Sequence, residues 1–467
     1  MPGVPSSRGC DACRKQKKKC DQLKPACSRC TRLKIDCIGS GQQRYKFKHQ
    51  STKMDVVPKS QPASVVSPPS NGSTLLLSDF ISTLGIIDVR YDVTYYGGFL
   101  SDIPRRLGTN DALDASVGAL AASFPYMHTK QLSPDMLNKY GYALKTLRLH
   151  MSDPAKAYTP DTLCAIYLMD ICQSWIGRRD DLLQSHGEVM AHFLNAAPVD
   201  KWRDRFEVEM LITICATVAM ESFANPKIQL DEFFTKLDNV HGKEYGPRRY
   251  FDEQRVPLSI TLPGLANVGK YFRDPEVYVV EIAAMYQESL LDYEMARKRL
   301  ATAAETLKTV RTPLEAYPVT KQYTAIQAMF GLIGSIVLNM GSVLRVFSPD
   351  DVTLSAESAK VSSEVMLLAQ DAMQYRPLGS SYIPFCLVSA WAAADGRTEQ
   401  AEVERMLEEW QSDFQETRWI NIARWLKNGF EDLRLRLTLS QLRVIPGDSA
   451  AMIHDARVGG PNSCCIQ

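Results

Sequence analysis

The chain has 467 residues, 45% of them hydrophobic, and its 54 basic and 53 acidic side chains leave a net charge of +1. Its length allows two or three domains with a large apolar core. Residues 1–50 hold 13 Lys+Arg against 3 Asp+Glu, a net of +10, so the remaining 41 basic and 50 acidic residues give 51–467 a net of −9. This distribution excludes a nucleic-acid footprint spread along the whole chain and confines one to the N-terminal end.

The first element is Cys10 to Cys37, CDACRKQKKKCDQLKPACSRCTRLKIDC, in which a C-x2-C-x6-C pattern occurs twice with six residues between. Thiolates two residues apart can grip one metal from a single helical turn, so each half reads as part of a zinc site. Two tetrahedral zinc ions need eight ligand positions, and six cysteines fill them only if two sulfurs are shared. The segment has almost no apolar core, so metal binding supplies most of its folding energy. Six thiolates and two zinc ions bring the head's charge to about +8. A disulfide knot would need an oxidising compartment, and residues 1–9 are polar with no apolar run behind them. Between Cys13 and Cys20 stand Arg14, Lys15, Lys17, Lys18 and Lys19. A short helix starting at the metal would turn some of them to the major groove and others to phosphates. Lys17, four residues after Cys13, is one helical turn beyond a zinc ligand and is the expected base reader. Beyond Cys37, Arg44, Lys46 and Lys48 alternate with Gln43, Tyr45 and Phe47, which reads as an extended basic arm tracking the DNA backbone. With Lys15–Lys19 it also reads as a nuclear import signal.

Cys10-Asp-Ala-Cys13-Arg-Lys-Gln-Lys17-Lys-Lys-Cys20-Asp21, followed by Lys24-Pro25-Ala-Cys27-Ser-Arg-Cys30 and Cys37, resembles the fungal Zn2Cys6 binuclear-cluster transcription factors. The resemblance implies that Cys10 and Cys27 bridge two zinc ions. It gives Cys13 and Cys20 to one ion, Cys30 and Cys37 to the other, and Pro25 to the turn joining the halves. It also implies a nuclear, RNA polymerase II-type regulator that reads CGG-like triplets in double-stranded DNA.

Residues 50–74 carry four prolines and six serines with no sustained apolar period, the composition of a linker. No heptad repeat follows, because Leu75-Leu76-Leu77 is too short, so no coiled-coil dimerisation helix is read here. From 75 to 467 the chain reads as an all-α body. Ser133-Pro134, Thr159-Pro160 and Asp274-Pro275 mark helix starts. Met136, Leu137, Tyr140, Ala143, Leu144 and Leu147 give the first an apolar face, and Leu163, Ile166, Tyr167 and Ile171 the second. Leu113-Asp-Ala-Ser-Val-Gly, Tyr140-Gly-Tyr-Ala-Leu-Lys-Thr-Leu, His186-Gly-Glu and Arg376-Pro-Leu-Gly-Ser with Trp391 resemble the helical regulatory region of the same family. That resemblance implies control of the head and, in some members, a small hydrophobic effector.

Residues 322–344 lack charge between Lys321 and Arg345, a length that could cross a bilayer. Polar interruptions and Gly331, Gly334 and Gly341 make it a buried central helix instead, with no membrane expected, and the place to look for an apolar effector pocket. His186, Glu188 and His192 lack the spacing of a metal site. Cys164, Cys172, Cys215 and Cys386 sit in apolar surroundings as reduced core residues. Cys464-Cys465-Ile466-Gln467 formally matches a prenylation box, which fits a nuclear regulator badly.

The sequence therefore divides into a Zn2Cys6 head with its arm (1–49), a linker (50–74) and a helical regulatory body (75–467). The expected function is zinc-dependent, sequence-specific DNA binding, with a homodimer and a hydrophobic effector as further candidate partners. No catalytic motif stands out. The alternatives are a ligand-sensing or scaffold protein whose cluster is structural, and a helical enzyme with an accessory zinc module.

Overall fold

The computed structural model describes residues 9–39, 71–177, 186–198, 201–222, 257–414 and 418–444, with a few positions between 225 and 237. The arm residues Arg44, Lys46 and Lys48, most of the linker and the C-terminal box lie outside the described residues. The chain divides into two compact units, one before and one after the Pro68–Pro69 bond.

In the first unit, α1 (Asp11–Lys15) and α2 (Ser28–Leu33) each begin at a cysteine, Cys10 or Cys27. Each ends in the same way. The Lys17 N–H donates to the Arg14 carbonyl and the Lys18 N–H to the Cys13 carbonyl, while Lys17 takes φ 52°. Seventeen residues on, Lys34 (φ 47°) donates to Thr31 and Ile35 to Cys30. These paired backward bonds satisfy the last carbonyls and stop the helix, a role glycine usually fills because it has no Cβ.

The second unit is helical, with no β-strand among the described residues. Its first helix, α3 (Gly72–Leu84), starts three residues ahead of Leu75, where Asn71 Oδ1 accepts the Thr74 N–H at 2.8 Å. Next come α4 (Asp111–Ser123), the single turn α5 (Tyr126–Thr129), α6 (Pro134–Met151), the single turn α7 (Pro154–Ala157) and α8 (Pro160–Ile176). Ser133 and Thr159 cap α6 and α8 as the sequence signals indicate. Met136, Tyr140, Ala143 and Leu147 are buried on α6, with Leu137 and Leu144 half-buried, and α8 is buried nearly all round. α4 packs on both.

α9 (His186–Ala196) and α10 (Arg205–Glu221) lead to α11 (Leu262–Arg273). The Asp274-Pro275 signal does not start a helix. The Val277 N–H donates to the Asp274 carbonyl, closing a turn, and α12 runs from Val279 to Thr309. A polar residue before proline serves a turn as well as a helix start, and nothing local separates the two.

α12, α13 (Pro313–Phe347) and α14 (Val352–Ala372) pack together as the middle of the body. The charge-free stretch lies in α13, whose most apolar part is long enough to span a bilayer and is 78% buried in the fold. Its glycines are seats for neighbouring side chains. A Cβ on Gly334 would stand 3.1 Å from the Tyr293 ring, and one on Gly341 3.1 Å from the Tyr286 ring. The two tyrosines reach past α13 to α14, Tyr286 Oη to Glu357 at 2.5 Å and Tyr293 Oη to Glu364 at 2.7 Å. Asp371, one heptad further, accepts from Tyr323 and Gln327 of α13. Carboxylates at a seven-residue interval return to the same helical face, so the pairs form a regular row. α15 (Ile383–Ala393), α16 (Arg397–Trp410) and α17 (Trp419–Val444) complete the unit, α15 lying against both α13 and α17.

Candidate metal centre and nucleic-acid interface

The six head cysteines converge. Cys10, Cys13, Cys27 and Cys30 are fully buried, and Cys20 and Cys37 close the cluster from outside. Their sulfurs form two groups of four, Cys10–Cys13–Cys20–Cys27 and Cys10–Cys27–Cys30–Cys37, each with all sulfurs within 4.8 Å of one another. Cys10 and Cys27 belong to both. Cys10 Sγ lies 3.8 Å from Cys27 Sγ and 3.5 Å from Cys30 Sγ, and Cys13 Sγ lies 3.7 Å from Cys27 Sγ. A tetrahedron with Zn–S bonds of about 2.3 Å has edges of about 3.8 Å, so the donor set fits the ion. None of the six is disulfide-bonded.

The backbone prepares these sulfurs for metal. The Cys10 N–H donates to Cys20 Sγ at 3.4 Å, and at the equivalent place the Cys27 N–H donates to Cys37 Sγ at 3.3 Å. The thiols shared by both groups have pKa values lowered, Cys10 first by the Cys13 N–H and Cys27 first by the Cys30 N–H. Burial pushes the Cys13 thiol up to about 11. Zinc displaces the protons, so affinity falls as the solution becomes acidic. Asp21, whose pKa is lowered chiefly by Ser28, accepts the Ser28 N–H at 3.1 Å and ties the connecting loop to the start of α2.

Residues 8–46 match the model of the fungal Zn(2)-Cys(6) binuclear cluster domain. The head is such a domain. No curated protein and no solved structure was found to match the chain. The Zn2Cys6 head binds two zinc ions and is the DNA-binding module of a fungal zinc-cluster regulator.

Lys15, Lys17, Lys18 and Lys19 are exposed, and Arg14 is half-buried. The helix expected to carry them is shorter than the spacing suggests. α1 ends at Lys15, so Lys17–Lys19 stand on the turn and the irregular segment beyond it rather than on a continuing helical face. Lys17 is still fixed relative to Cys13, through the Lys17 and Lys18 amides rather than through another helical turn. The sequence reading did not include Arg29, whose Nη2 donates to Gln16 Oε1 at 2.7 Å across the two halves. Only its place between Ser28 and Cys30, facing the other lobe, could have signalled it.

In the body, His192 is exposed, and Cys164, Cys172, Cys215 and Cys386 are buried free thiols. The glycine-lined part of 322–344 is filled by Tyr286, Tyr293 and Cys386. A cavity of about 200 Å³ lies between α11, α13 and α17, lined by Phe272, Val343, Trp425, Phe430 and Leu433 with Arg273 and Arg436. Val343 is the contribution of that stretch to it.

Proposed function

We propose that the protein is a nuclear, zinc-dependent regulator of RNA polymerase II transcription that reads CGG-like triplets in the major groove. The observation that carries this reading is the pair of four-sulfur groups sharing Cys10 and Cys27, next to an exposed lysine turn pinned to Cys13. Cys10, Cys13, Cys20 and Cys27 would hold one ion and Cys10, Cys27, Cys30 and Cys37 the other, with Cys10 and Cys27 serving both. Lys17 donates to guanine O6 and N7, which lie side by side in the groove, and Lys18 stands beside it. Arg14, Lys15, Lys19 and the arm residues Arg44, Lys46 and Lys48 meet phosphates. The 1–49 head, the linker to 74 and the helical body then act as reader, tether and regulator. A homodimer would present two heads to paired triplets.

The cavity beside Trp425 and Phe430 supports a small hydrophobic effector for the body. Its walls are mainly aromatic and aliphatic.

The test is binding of Lys17→Ala to a site selected from random duplexes and to a scrambled duplex. The expected loss is about 1–3 kcal/mol on the selected site and little on the scrambled one. Equal weakening of both would remove the base-reading role.

A further inference from the structure

We propose that Arg29 is a positioning residue that braces the Lys17 turn against the metal cluster. The inference rests on the reading of Lys17 as the base-contacting residue.

Arg29 lies in the first turn of α2, in the opposite half of the domain from Lys17, and is half-buried. Its Nη2 donates to Gln16 Oε1 at 2.7 Å. Gln16 is the residue between the end of α1 and Lys17, so this bond holds the chain where it leaves the helix. Nη1 is buried and has no hydrogen-bond partner among the described residues. A buried guanidinium nitrogen left without a partner is costly. The guanidinium also lies close to the Cys13 sulfur. Six thiolates around two zinc ions leave the cluster with net negative charge, and that charge is the natural partner for Nη1. One planar group thus faces the cluster with one arm and Gln16 with the other. Lysine, with a single donor centre, cannot span both.

The internal repeat supplies a control within the molecule. The two halves are related by an offset of seventeen residues: Cys10 to Cys27, Cys13 to Cys30, Cys20 to Cys37 and Lys17 to Lys34. By that offset Arg29 corresponds to Ala12, and Gln16 to Leu33. The second half has no equivalent brace. Its turn reads Lys34-Ile35-Asp36 where the first reads Lys17-Lys18-Lys19. The bond exists on the side that carries the lysines.

The experiment uses the full-length zinc-loaded protein and its Arg29→Met, Gln16→Met, double and Lys17→Ala variants. Affinity for the selected and scrambled duplexes is measured at several salt concentrations, together with bound zinc. Arg29→Met and Gln16→Met should each lower the selected-to-scrambled ratio by about three- to tenfold, the scale of one lost hydrogen bond. The double variant should be no worse than either single, with two zinc ions retained and the salt slope unchanged. A slope lowered by about one unit in Arg29→Met would make Arg29 a phosphate contact and overturn the proposal. So would loss of zinc from Arg29→Met, or an unchanged ratio in Gln16→Met. If Lys17→Ala weakens both duplexes alike while Arg29 and Gln16 remain non-additive, the base-reading assignment fails and the brace stands. If Lys17→Ala collapses the ratio and the other two variants do not, the brace fails.

Discussion

Between residues 9 and 39 the buried apolar side chains are four cysteines, whereas the body buries Trp175, Trp410, Tyr286, Tyr293 and a continuous set of aliphatic residues around them. The head has no apolar core to fall back on, so its structure is worth what its metal is worth. The body has an apolar core large enough to stand without any ligand. The contrast shows why one chain holds two kinds of specification. In the head, spacing is the structure, and in the body, spacing only selects which face is buried.

The largest expected effect separates the two directly. A strong zinc chelator should remove ~10 kcal/mol or more of folding free energy from the head and abolish DNA binding. The helical circular dichroism of a 69–467 fragment should be unchanged. Loss of that signal would mean the units are not independent.

A smaller effect tests whether polar contacts matter to the body. Asp92 is buried, and its carboxylate accepts from Lys321 at 2.6 Å, Tyr317 at 2.6 Å and the Thr94 amide at 2.9 Å. Burial alone would raise its pKa, but Lys321, Thr94 and Tyr317 outweigh this and hold it below the usual value. Asp92→Ala should cost about 2–3 kcal/mol in denaturant unfolding, less than a fully buried pair because Lys321 can turn toward water. A carboxylate with a lowered folded-state pKa stabilises fully above its unfolded value of about 3.9. The gap between wild type and variant should therefore be constant at neutral pH and shrink as pH falls below about 4. A gap that widened there would refute the assignment.

Next in size, Gly331→Val should cost about 1–3 kcal/mol by overpacking. Its Cβ would stand 2.9 Å from Cys386 Sγ and 3.0 Å from Leu368. DNA affinity of the head should not move. The smallest effect belongs to Tyr293→Phe, at about 0.5–1.5 kcal/mol, since Glu364 keeps Arg297 at 2.9 Å as a partner. A loss above about 3 kcal/mol would mean the tyrosine row carries more than single hydrogen bonds do.

The cysteine centre was legible because metal geometry dictates ligand spacing within a few residues. Ser133-Pro134 and Thr159-Pro160 were legible for a similar reason, as a cap and its first turn are local. Asp274-Pro275 misled because the same pair serves a turn. The end of α1 was hidden because Lys17 occupies a left-handed position that sequence reading reserves for glycine or asparagine. Arg29 and Gln16 are thirteen residues apart, and Tyr293 and Glu364 seventy-one, so no local period announces either contact.

The row of carboxylates on α14 has a mechanical meaning. Sliding α14 along its neighbours by one turn, about 5.4 Å, would part Glu357, Glu364 and Asp371 from their donors together. Only a jump of a whole heptad, about 10 Å, would bring a carboxylate back opposite a tyrosine. The three central helices behave as a toothed rack with no intermediate stop. Any rearrangement that keeps the row must move the three helices as one piece.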